Sequence, residues 1–219
     1  MCMDFFDRDQ YKITGLPLVG LLISLLLVID TSAQEMTREL YKTGELKAMG
    51  RITDGLKDGE WSFFYPSGKK NSIENYRSGA LHGPVFYFYP SEVLQAHEQW
   101  QNGKMQDSAW YFHENGRLHR KGLYRDNQYA GTWKYFFENG KPQRTVSYYN
   151  GLPEGEIQVY NEQGILIQQG SYLEGKENGE WKFFSDDGQL KFLGSYVKGK
   201  ETGIWYQFRK GQKKIYKRY

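Results

Sequence analysis

One interval, 24 residues, recurs along most of this 219-residue chain. Stepped by 24 from Gly59, the positions are Gly83, Asp107, Gly131, Gly155, Gly179 and Gly203. From Gly55 they are Gly79, Gly103, Asn127, Gly151, Gly175 and Gly199. A third glycine column runs Gly44, Gly68, Glu92, Gly116, Gly140, Gly164 and Gly188, with Gly211 one residue short of register. The aromatic columns keep the same step. One is Phe64, Phe88, Phe112, Phe136, Tyr160, Phe184 and Phe208. Another is Tyr76, Trp100, Tyr124, Tyr148, Tyr172 and Tyr196. A third, apolar throughout, is Trp61, Val85, Ala109, Trp133, Ile157, Trp181 and Trp205.

A constant period with no insertion is the mark of a repeat architecture. The breaks at glycine leave five to nine residues between them, rich in Tyr, Phe, Trp and β-branched types. Such segments read as strands bounded by turns, and they are too short for helices. Aromatics make up 17% of the chain and glycines number 25, which favours the same reading. A lone hairpin is marginal in water, so the hairpins must stack. A one-residue slip would turn every side chain to the wrong face, which explains why the period is kept. The expected fold is all-β: an elongated, twisted antiparallel β-hairpin array of about seven and a half repeats. It should hold about 14 or 15 strands and, at ~4.8 Å per strand, extend roughly 70 Å. The array covers about residues 37–219 and leaves no room for a second domain. The Gly55-to-Gly59 step is expected to be one of the two breaks in each unit.

Before the array, Leu16 to Ile29 form an apolar run followed by Thr31, Ser32 and Ala33. That is the form of a secretory signal with its cleavage site, giving a signal peptide at 1–33 and a repeat domain at 34–219. The other reading is an uncleaved anchor from Ile13 to Ile29, the chain's only expected membrane contact. Both export the array to the periplasm, cell envelope or medium; a cytoplasmic protein is the alternative.

The residues point away from catalysis. The single cysteine, Cys2, can neither close an internal disulfide nor build a metal cluster. The four histidines, His82, His97, His113 and His119, match no metal-ligand spacing. No G-x-S-x-G nucleophile motif occurs. Acids beside the turns, such as Asp186 and Asp187, follow the repeat and read as solvated turn chemistry. No cofactor is expected, and a net charge of +3 is too small to argue for nucleic acid.

A binding surface is expected where the repeat is broken. The position after Trp61 recurs as Ser62, Phe86, Trp110, Lys134, Gln158, Lys182 and Tyr206. If this column faces water, Phe86, Trp110 and Tyr206 stand out, with His113 in the same region as the first two. The basic tail, RKGQKKIYKRY, reads first as an edge strand guarded by lysines. Its other reading is a site for an anionic surface.

Residues 148–164, YYNGLPEGEIQVYNEQG, and 172–188, YLEGKENGEWKFFSDDG, share the form Y-x-x-G-x-x-x-G-x-[IW]-x-x-[YF]-x-x-x-G. This resembles the MORN repeat in its bacterial variant form, and in particular the bacterial YwqK-family antitoxins. The resemblance implies a non-enzymatic scaffold for protein association, at times at membranes. The expected function is an exported repeat scaffold binding a protein partner in the cell envelope. The alternatives are a toxin-neutralising protein and a module for carbohydrate or lipid surfaces.

Overall fold

The computed structural model describes residues 36–219; the expected signal segment and Cys2 lie outside them. Nineteen strand segments follow in order. They begin with β1 Thr37–Leu40, β2 Leu46–Thr53, β3 Leu56–Phe64, β4 Lys70–Arg77, β5 Ala80–Leu81, β6 Gly83–Phe88 and β7 Leu94–Gln101. Next come β8 Lys104–Met105, β9 Asp107–Phe112, β10 Leu118–Arg125, β11 Gln128–Phe136, β12 Pro142–Tyr149 and β13 Leu152–Tyr160. The last are β14 Leu166–Leu173, β15 Lys176–Glu177, β16 Gly179–Phe184, β17 Leu190–Val197, β18 Lys200–Arg209 and β19 Gln212–Arg218. Every pairing is antiparallel and joins segments next to each other in the chain, with β4, β7 and β14 also pairing past the short β5, β8 and β15 to β6, β9 and β16, so the sheet is one open meander. Among the described residues β1 and β19 do not pair, and no helix is long and apolar enough to cross a membrane.

Two turn types alternate. Asp54–Gly55 has positive φ at both residues (52° and 76°), the condition for a two-residue type I′ turn. In the fourth unit the pair is Asp126–Asn127, and Asn127 takes φ 67° where glycine is usual. The second type is a five-residue loop closed twice: Tyr65 N donates to Lys69 O at 2.8 Å and Gly68 N to Tyr65 O at 2.8 Å. It is a type I turn ending in a bulge, and Glu92 at φ 68° takes the glycine place once. The last hairpin replaces this loop with a two-residue turn at Lys210–Gly211, which explains why Gly211 falls one residue short.

The Gly55-to-Gly59 step is not a loop, which corrects the sequence expectation. The turn ends at Gly55, β3 starts at Leu56, and Gly59 at φ 72° is a bulge inside the strand. The same bulge divides β5 from β6, β8 from β9 and β15 from β16. The nineteen segments therefore fill sixteen meander positions, slightly more than expected.

The bulge sets which side chains stand opposite one another across the strands. One central row runs Trp61, Glu74, Val85, Glu98, Ala109, Gly122, Trp133, Val146, Ile157, Gly170, Trp181, Gly194 and Trp205, in alternating steps of 13 and 11 residues. This tryptophan face holds the core: Trp61 and Trp133 are 0% exposed and Trp181 is 1%. Aromatics from the Tyr76 column and from the position before Phe64 lean over it. Tyr129 and Tyr124 meet Trp133 edge-on at 4.4 and 5.1 Å. Tyr172 and Tyr196 meet Trp181 in the same way at 5.3 and 5.8 Å. Cations complete the cover, with Lys57 Nζ 4.2 Å over Trp61 and the Arg120 guanidinium 4.2 Å over Tyr111. The Phe64 column lies half-buried on the opposite face, so the aromatic columns serve two faces.

Candidate functional site

Where a tryptophan stands in the core row, the preceding strand carries glycine: Gly50 before Trp61, Gly122 before Trp133, Gly170 before Trp181, Gly194 before Trp205. A Cβ on any of these four would lie 2.1 to 2.3 Å from the indole, which no packing adjustment can absorb. Three of the indoles also donate Nε1–H to a carbonyl of that strand: Trp61 to Arg51 O, Trp133 to Leu123 O and Trp181 to Ser171 O, at 2.9 to 3.2 Å.

The rule is broken where the tryptophan is lost. Glu74 precedes Val85 and Glu98 precedes Ala109. The smaller partner makes room for a carboxylate on the core face. Glu98 is 5% exposed and accepts from Tyr111 Oη at 2.7 Å and Trp100 Nε1 at 3.0 Å. Glu74 accepts from Ser72 Oγ at 2.8 Å and Tyr76 Oη at 2.5 Å. Burial and these two carboxylates push the Tyr87 hydroxyl up to about 12. Burial, with bonds to Tyr124 and Glu98, raises Tyr111 further. Both acids escape a search for motifs. Their signal is a glycine column (Gly50, Gly122, Gly170, Gly194) that carries Glu in two adjacent units.

The opposite face has its own central row: Ser62, Ile73, Phe86, His97, Trp110, Lys121, Lys134, Thr145, Gln158, Gln169, Lys182, Leu193 and Tyr206. Phe86 and Trp110 are brought together through a residue between them. His97 lies 4.5 Å from Phe86 and 5.0 Å from Trp110, with ring planes within 16° of parallel. The three rings are half-buried and come from adjacent strands. Burial lowers the pKa of His97, so the imidazole is neutral near pH 7.

The structure separates the other two candidates from this stack. His113 begins the fourth five-residue loop, and its Nε2 lies 3.0 Å from Phe136 O. Tyr41, Tyr65 and Tyr89 place a hydroxyl at the same point, on Phe64 O, Phe88 O and Phe112 O, at 2.7 to 2.9 Å. His113 thus takes a tyrosine's place as a clamp between units, and its ring also meets His119 at 4.4 Å. Tyr206 lies eight meander steps from Trp110, roughly 40 Å at the usual strand spacing. Lys213 Nζ sits 3.7 Å over its ring. The basic tail forms β19, which pairs only with β18 and is the sheet's terminal edge. Among the described residues no three His, Cys, Asp or Glu side chains converge to hold a metal.

This geometry defines an open hairpin-repeat scaffold whose core face is closed by its own side chains and whose other face is, among the described residues, bare. Three of its units, residues 57–78, 130–150 and 177–198, match the family model of the MORN repeat variant, and the chain carries that repeat. No curated protein matches the chain. Two solved structures, described as the crystal structures of TcdB2-TccC3-Cdc42 and TcdB2-TccC3, align with 79% of it at 10% identity and a TM-score of 0.19. The chain spans only 13% and 14% of theirs, and a score that low establishes no common fold.

Proposed function

We propose that the chain is an exported, non-enzymatic scaffold that holds a protein partner on its bare face, at the second and third repeats. The Phe86–His97–Trp110 stack carries the reading. Elsewhere in mid-array the same row is polar, from Lys121 to Lys182. A neutral aromatic cluster beside a polar stretch of the same row is the composition of a contact hot spot. The stack fits a protein better than a sugar. Sugar rings lie flat on an aromatic face, whereas stacking here occupies both faces of His97 and one face each of Phe86 and Trp110. A toxin is one such partner, so the antitoxin expectation is a special case of the same reading.

The combined change His97→Ala and Trp110→Ala is expected to cut partner capture from an extract of the producing cell about 30-fold or more. The thermal midpoint should fall only slightly, since neither ring belongs to the tryptophan core. Undiminished capture by the folded variant would overturn the site. The mass of the mature protein tests export separately, with a new amino terminus at Gln34 as the expected result.

A further inference from the structure

Beside the stack, the bare face changes character. Lys121 on β10 and Lys134 on β11 are directly opposed across the strands. Like charges in that relation destabilise a sheet. It is the one like-charged pair in the row: no other two residues opposed there are both charged, and the lysines' outer neighbours are Trp110 and Thr145. Among the described residues neither ammonium has a carboxylate within ion-pair distance, whereas Lys182 in the same row has Glu180 at 3.0 Å. The two lysines edge a cleft of about 470 Å³ whose wall is Phe136, Pro142 and Tyr160, with Thr145 beside them. Two uncompensated cations above an apolar wall are a poor choice for folding and a good one for a ligand that is both charged and greasy.

We infer that the Lys121–Lys134 cleft binds a small organic anion, an oxyanion carried on an aromatic or aliphatic body. The ammoniums hold the oxyanion and relieve their mutual repulsion, and the body lies against Phe136, Pro142 and Tyr160. Strand backbone groups are engaged in the sheet, so recognition rests on these side chains and the Thr145 hydroxyl. The site is independent of the partner reading, since its residues are not those of the aromatic stack.

The test is calorimetric titration of the full chain with phenylphosphate and with benzoate, beside inorganic phosphate and benzyl alcohol. At least one of the first two should bind saturably at one per chain, and the other pair at least 10-fold more weakly. The change Lys121→Gln with Lys134→Gln should weaken binding at least 10-fold without lowering the thermal midpoint. Lys176→Gln, on an exposed lysine of β15, should leave it unchanged. The tighter of the two aromatic anions identifies the head group as phosphate or carboxylate. The site is overturned if neither binds saturably, if the half-ligands bind as well, or if the double variant binds as before.

Discussion

Gly170→Val is expected to destabilise the array by about 3 kcal/mol or more, at the upper end of overpacking effects. Adding Trp181→Ile to the same chain should recover most of that loss. Even one Cβ at position 170 would meet the Trp181 indole at 2.1 Å, and the indole cannot retreat because it is 1% exposed. The chain already contains the rescued pair, Val146 before Ile157, both about 5% exposed. Trp181→Ile alone should also cost stability, since it leaves a cavity over Gly170. The two changes should therefore be coupled by about 2 kcal/mol or more in a double-mutant cycle by urea unfolding. Additive effects, or a stable Gly170→Val single variant, would show that the Gly–Trp alternation is not a packing rule.

Raising the pH is expected to unfold the protein cooperatively above about pH 10, the ordinary tyrosine pKa. Burial raises the hydroxyls of Tyr76, Tyr87, Tyr111, Tyr124 and Tyr148, with Tyr87 and Tyr124 each reaching about 12. These groups favour the fold while neutral in both states, below pH 10. As pH rises from there towards their folded values, the unfolded chain ionises and the folded chain does not, so stability is lost. Each phenol contributes at most ~1.4 kcal/mol of loss per pH unit, and less where its ring is partly exposed. Phenolate absorbance should lag behind that of free tyrosine, then rise together with the loss of near-ultraviolet circular dichroism. Phenolate formation at the free-tyrosine pH with the fold intact would refute this account. Tyr111→Phe should remove one such proton, and it should also cost stability at neutral pH by taking a donor from buried Glu98.

Much of the fold is legible in the residues because its constraints are local. Type I′ turns need positive φ at two successive residues, and the Gly55 column with Asn127 provides the second. The five-residue loops need it at Gly68 and its equivalents. Fixed turns at a fixed interval leave a meander as the way to pair every strand. The candidate site is less legible. Phe86 and Trp110 can be singled out as breaks in a column, but His97 between them belongs to a different column. His113 looks like a surface exception until its Nε2 is seen in the place of a tyrosine hydroxyl.

The residues by themselves determined the period, the hairpins and the antiparallel repeat array. Tertiary structure decided which side chains meet. A bulge at Gly59 slips the pairing by two residues in mid-strand, from Arg51–Asp58 to Gly50–Trp61, so neighbours in the core row fall 11 and 13 residues apart. That slip sets each glycine beneath its indole, while the three-residue spacing from Trp61 to Phe64 puts those two on opposite faces by strand alternation alone. It also stacks His97 between Phe86 and Trp110 and opposes Lys121 to Lys134. Whether a glycine makes a loop or a bulge depends on hydrogen bonds to the neighbouring strand, and those exist only once the sheet has formed.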